Sequence, residues 1–132
     1  MHLTREGYGR PAVSLTDEPP FCHALAARPF AREAELDRGL WLVIVVAAWS
    51  APDVEAVRTA IDAVARFQGR VQLGVRPYDD PDEVETWCPE LRDAGGSPMW
   101  AILDDGVVVA VDGGIRSADQ LVATIKRALE AR

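Results

Sequence analysis

LWLVIVVAAWSAPD, residues 40–53, is the stretch that decides the fold. Leu40 to Ala48 is an unbroken apolar and β-branched run with no alternation, the pattern of a strand buried on both faces. Ser50-Ala51-Pro52-Asp53 then reads as a helix start. Ser50 stands at the N-cap, Pro52 falls in the first turn where its missing N–H costs nothing, and Asp53 reaches back in a variant capping box. A buried strand running straight into a capped helix is half of a parallel β–α–β unit, which puts residues 40–48 in the middle of a sheet.

Downstream of this junction, Val54, Val57, Ile61 and Val64 recur at helical spacing as far as Phe67, and Gly69 is the stop. Val71, Leu73 and Val75 alternate as a strand that Pro77 is expected to end. An acidic stretch from Asp79 to Asp93 follows, with a short helix after Pro81 that Pro89 disturbs. Met99–Leu103 and Val107–Val111 are two strands joined by Asp104-Asp105-Gly106, whose Asp-Gly step is a strong hairpin signal. Ser117-Ala118-Asp119-Gln120 is a second capping box, opening a terminal helix striped by Leu121, Val122, Ile125, Ala128 and Leu129.

Upstream, the apolar positions Leu25, Ala26, Phe30, Ala34 and Leu36 suit a helix between Phe21 and Arg38 that Pro29 kinks or splits. Residues 1–20 carry Gly7, Gly9, Pro11, Pro19 and Pro20 with one extended stretch, Ala12 to Leu15. They read as an N-terminal arm with an edge strand, leaving residues 21–132 as the domain. Strands separated by helices force parallel crossovers while the closing hairpin is antiparallel. The expected architecture is therefore α/β, a mixed central sheet flanked by helices with an N-terminal extension.

At 132 residues the chain is one domain's worth, and 48% apolar with 27% charged residues is the balance of a protein with a packed core. A net charge of −7 supplies no cluster of Lys and Arg for a phosphate backbone, so nucleic acid is not an expected partner. The run from Leu40 to Trp49 is half the length of a membrane-crossing helix, and the first twenty residues hold no apolar secretory core. No membrane partner and a cytoplasmic location are expected. Two cysteines, Cys22 and Cys88, are too few for a disulfide framework, and two Cys with two His offer no metal-ligand spacing. No cofactor or metal is called for.

The element order, together with Trp49-Ser50-Ala51-Pro52-Asp53 at the strand–helix junction, resembles the thioredoxin family, whose corresponding junction is Trp-Cys-Gly-Pro-Cys. Trp49 and Pro52 match that motif, while Ser50 and Asp53 stand where the two redox cysteines would be. Ser97-Pro98 resembles the family's cis-proline loop, and it is followed, as there, by a strand, a hairpin and the Gly113-Gly114 pair before the last helix. Val13-Ser14-Leu15-Thr16-Asp17 is similar to the family's first strand. The resemblance implies a thioredoxin-like fold over most of residues 40–131, with residues 80–95 as an insertion. It also implies a cis Ser97–Pro98 bond and a peptide groove formed by Trp49, Ser50, Ala51, Pro52, Ser97 and Pro98.

The departures carry chemistry. Disulfide exchange needs a thiolate at the helix N-terminus and a resolving thiol one turn on. The Ser50 hydroxyl does not ionise near neutral pH, an Asp53 carboxylate in the first turn repels an incoming thiolate, and Ile44 stands where the family keeps a buried acid. Two-thiol oxidoreductase activity at this junction is not expected. A nucleophilic Ser50 needs a base, and the chain has only His2 and His23. The leading expectation is a redox-inactive thioredoxin-like protein that binds a protein or peptide in an adaptor, chaperone-like or assembly role, the partner being basic if the acidic stretch is a docking patch.

Two alternatives stand beside it. One is a thiol-dependent redox enzyme using Cys22, next to His23, or Cys88, among carboxylates. The other is a structural role as a homodimer or in a complex. A Cys22–Cys88 disulfide is open at this point, subject to the redox state of the compartment.

Overall fold

The computed structural model describes residues 2–6, 10–15, 18–26, 32–47, 50–78 and 80–132. Leu40–Ala47 is a strand, β4, buried from end to end. Leu40, Leu42, Ile44 and Val46 point to one face of the sheet, and Trp41, Val43, Val45 and Ala47 to the other. That is why the run is apolar without alternation: both faces carry a layer.

β4 is the middle of a five-stranded sheet of order β3-β5-β4-β6-β7, with β3 Cys22–Ala24, β5 Gln72–Tyr78, β6 Met99–Asp104 and β7 Val107–Gly113. β3 and β4 run parallel to β5, and β6 is antiparallel to both β4 and β7. The mixed sheet is therefore the one expected from the order of elements. Helix α1, Ala51–Ala65, and helix α3, Ala118–Glu130, cover the first face, burying Val57, Val64, Leu121 and Ile125 against Ile44 and Leu73. Helix α2, Pro81–Trp87, and the 3₁₀ turns Ala34–Asp37 and Pro89–Asp93 close the second face with Val84, Trp87, Leu91 and Leu36.

The turn chemistry holds. Asp105 and Gly106 both have positive φ, 48° and 85°, as a two-residue hairpin turn requires, and Asp104 pairs directly with Val107. Ser117 and Gln120 form a reciprocal capping box, with Ser117 Oγ accepting from the Gln120 N–H and Gln120 Oε1 accepting from the Ser117 N–H.

Three expectations are corrected. The segment from Phe21 does not open as a helix: Cys22–Ala24 is an edge strand, anchored by Leu73 N–H to Phe21 O and Leu25 N–H to Val75 O, both 2.9 Å. A three-residue strand takes its stability from the neighbouring strand, so its own apolar spacing does not announce it. Residues 27–31, with Pro29 and Phe30, lie outside the described residues. Second, the first strand of the main sheet is not at Val13. Arg10–Ser14, β2, pairs antiparallel with His2–Glu6, β1, in a separate two-stranded sheet.

Third, Pro77 does not end β5, which continues to Tyr78. Leu73 and Val75 turn their backbone groups toward β3, so Pro77, two residues on, faces the side where β3 has already finished. A proline is tolerated at an edge without a donor to satisfy.

Candidate functional site

The last pair between β4 and β6 is Val45 with Met99. Because these strands are antiparallel, the chain leaving β4 toward Ser50 and the chain entering β6 through Ser97-Pro98 emerge side by side at one end of the sheet. Ser50 and Ser97 are half-buried, Ala51 and Pro52 exposed, and Pro98 buried, while Trp49 lies outside the described residues. The Ser97–Pro98 bond is cis. The Pro98 carbonyl accepts from the Gly114 N–H at 2.8 Å, and the Gly114 carbonyl accepts from Trp100 Nε1 at 2.8 Å. Among the described residues the backbone groups of Ser97 have no hydrogen-bond partner.

Ser50 is the N-cap of α1, yet its side chain does not cap the helix. Its hydroxyl instead donates to Asp53 Oδ1 at 3.1 Å, while Asp53 Oδ2 accepts from the Ala47 N–H at 2.6 Å. Asp53 is 1% exposed. The carboxylate thus reaches back, as the spacing suggests, but to the last residue of β4 and not to the N-cap backbone. A buried acid is tolerated here because it accepts two hydrogen bonds and sits in the first turn of a helix, where the peptide dipoles favour negative charge. The Ser50 hydroxyl is thus held by a carboxylate, with no imidazole among the described side chains beside it. His23 is at the other end of the sheet, its Nε2–H donating to Gln72 Oε1 at 2.7 Å and its ring 5.0 Å from that of Trp41.

The two cysteines are free and are not brought together. Cys22 packs against the face covered by α1 and α3, and Cys88 is fully buried under α2 on the opposite face. The Cys22–Cys88 link is thereby excluded in this arrangement, since the sheet lies between the thiols. Adjacent positions on a strand face opposite ways, so His23 does not assist Cys22. Burial, then the Glu18 charge, pushes the Cys22 thiol up to about 11. Burial, then the hydrogen bond that Cys88 Sγ donates to Glu90 Oε2 at 3.4 Å, pushes Cys88 up to about 11, against a smaller opposing effect of Arg32. Both therefore stay thiols near neutral pH, the inert form.

The acidic stretch is a wall of the domain and not an appended loop. Val84, Trp87, Cys88 and Leu91 face the core, while Asp82, Glu90 and Asp93 are exposed. Sequence reasoning missed Arg76, which is fully buried on the same face. Its guanidinium lies 5.0 Å over the Trp87 ring, and its Nη1 donates to Pro77 O at 3.1 Å. Burial pulls its pKa down, opposed by Glu83, Glu33 and Cys88. The available signal was a single charged residue, between Val75 and Pro77, in a strand otherwise free of charge. Among the described residues no group of three or more His, Cys, Asp or Glu converges to hold a metal ion, and no helix is long and apolar enough to cross a membrane.

A sheet of this order, a helix leaving the central strand at Ser50, and a cis-proline loop beside it decide the architecture. The fold is that of thioredoxin. Solved structures bear this out. The chain is similar to thioredoxin-2 of the malaria parasite, described as a component of that organism's protein secretion machinery, with a TM-score of 0.55 and 15% identity over 67% of this chain and 82% of that one. It is similar to the germline-specific thioredoxin Deadhead of Drosophila melanogaster, with a TM-score of 0.55 and 16% identity over 70% and 84%. A malarial protein superposes with a TM-score of 0.54 and 14% identity over 68% and 97%. No protein-family model matches the sequence, and no curated protein matches it. At such identities the likeness speaks for the thioredoxin fold alone.

Proposed function

We propose that this chain is a thioredoxin-like protein without the redox pair, which works by holding an extended protein or peptide segment and performs no disulfide exchange. The observation that carries this reading is the pairing of two loops at one end of the sheet: Ser50, its hydroxyl bonded to a buried carboxylate, and Ser97, whose backbone groups have no partner among the described residues. An extended peptide lying beside Ser97 would gain main-chain hydrogen bonds as an added strand. With a hydroxyl and a carboxylate in place of two thiols, the bound segment would be released unchanged, which suits an adaptor, chaperone-like or assembly role. The exposed acids Asp82, Glu90 and Asp93 favour a basic partner through steering. Two unpaired cysteines fit a reducing cytoplasm.

The test is selection from a displayed random-peptide library, followed by calorimetry and amide-shift mapping of the enriched peptides. Binding should shift the Ser50 and Ser97 amides, and Ser97→Pro, which removes one of the strand-pairing groups, should weaken it roughly tenfold. Enriched peptides that bind Ser97→Pro as well as the parent, or that leave both amides unshifted, would rule the groove out.

A further inference from the structure

Helix α3 leans on α1 and leaves a cleft of about 410 Å³ between itself and the β6–β7 half of the sheet. Its floor is apolar: Leu42, Trp100, Ile102, Ala110 and Leu121. Its lip is mostly polar, formed by Gln120, Ala123, Thr124 and Arg127 of α3 together with Asp112 and Arg116. Residues 120, 124 and 127 share one helical face, so the helix turns a polar stripe toward an apolar floor. A helix that served only to close the sheet would present aliphatic side chains there. The floor is also hollowed from the strand side, because Ala110 stands in a strand whose residues 107, 108, 109 and 111 are all valine. Val111, 37% exposed, lies at the mouth, so the apolar surface continues outward.

The charges at the lip differ in what they have left to offer. Arg116 is held in a two-pronged ion pair, Nε to Asp112 Oδ2 at 2.9 Å and Nη2 to Asp112 Oδ1 at 2.8 Å, and its Nη1 donates to Ile115 O. Its charge is already matched. Arg127 donates only to Thr124 Oγ1 at 3.3 Å, and among the described residues no carboxylate lies within ion-pairing distance of it. A guanidinium with no carboxylate partner among the described residues, over an apolar floor, complements a single negative charge on an apolar body. A dianion would meet Asp112 at the same lip and a net charge of −7 on the chain.

We propose that this cleft is a binding site for a small amphipathic carboxylate, its apolar body on Trp100, Ile102 and Ala110 and its carboxylate on Arg127 beside Thr124 and Gln120. The volume falls in the range of small-ligand pockets. The site is separate from the Ser50–Ser97 loops and does not depend on what they bind.

Octanoate, below its micelle concentration, is the probe, added to the full chain and followed by amide shifts and calorimetry, with 1-octanol and octylammonium in parallel. Octanoate should shift the amides of residues 110–112 and 116–127 saturably, and octylammonium should not. Arg127→Gln, at an exposed position, should weaken octanoate roughly tenfold while leaving octanol unchanged. Ala110→Leu, with its unfolding midpoint recorded alongside, should remove binding of both by filling the floor. If that variant does not fold, the comparison of octanoate with octylammonium on parent and Arg127→Gln proteins decides alone. No saturable shift, equal binding of octylammonium, an Arg127→Gln variant that binds as the parent does, or shifts that follow protein concentration because a second copy covers this face would each overturn the proposal.

Discussion

Asp53 is a buried acid with a structural task at the junction of β4 and α1. Its carboxylate joins the last N–H of β4 to the N-cap hydroxyl of α1, so a single side chain ties the strand end to the helix start. The Ser-x-x-Asp spacing made the pair legible from the sequence. Its wiring was not, because which N–H most needs an acceptor depends on where β4 stops pairing, and that is settled by its neighbours in the sheet. Asp53→Ala should therefore leave the Ala47 N–H buried without an acceptor. We expect a loss of about 2–3 kcal/mol in urea unfolding, as for other hydrogen bonds to charged groups. Ser50→Ala, which removes a donor that a half-exposed site can replace with water, should cost about 1 kcal/mol or less. Equal losses for the two variants would mean that the carboxylate does not anchor the strand end.

Elements whose stability is local were readable and elements whose stability is borrowed were not. The β6–β7 hairpin and α3 carry their own turn and capping residues, and both lie where the sequence puts them. β3 has three residues and no signal of its own; it exists because β5 offers it a parallel edge. The approach of two elements is equally silent in sequence, as Gly113 shows. A Cβ at Gly113, on the last residue of β7, would run into the carbonyl oxygen of Ala94, at the end of the 3₁₀ turn over the second face. At Gly96, three residues beyond that turn, a Cβ would meet nothing within 4 Å. Gly113→Ala should accordingly destabilise the protein by roughly 2–3 kcal/mol, since backbone must move, and Gly96→Ala should stay within about 0.5 kcal/mol of the parent. Chemical denaturation of the two variants checks this, and similar midpoints would mean that β7 and the turn are not in register as described.

Across the whole molecule, the sheet divides the interior in two, and each side holds one cysteine: Cys22 with the α1–α3 layer and Cys88 under α2. The sequence shows two thiols far apart along the chain but not which face each takes, because the apolar spacing around Cys22 suits a helix while the segment is held as a strand by β5. With both thiols raised from an ordinary 9.0 to about 11, the folded state holds its protons where the unfolded chain has released them. The number of protons bound by the unfolded state minus that bound by the native state is then negative between about 9 and 11, so stability falls as pH rises through that window. The thiols' contribution is fully present below 9 and gone above 11. Urea midpoints measured from pH 7 upward should be governed by other groups until about pH 9 and then decline. The decline should be shallower in a Cys22→Ser, Cys88→Ala variant even if that protein is less stable throughout, because the slope and not the height reports the titration. A parent and variant with the same slope above pH 9 would show that the thiols titrate alike folded and unfolded. Alkylation rates of the two native cysteines, read by peptide mass spectrometry, should rise toward pH 11 without an earlier step; a step near neutrality at either one would restore the thiol-dependent alternative.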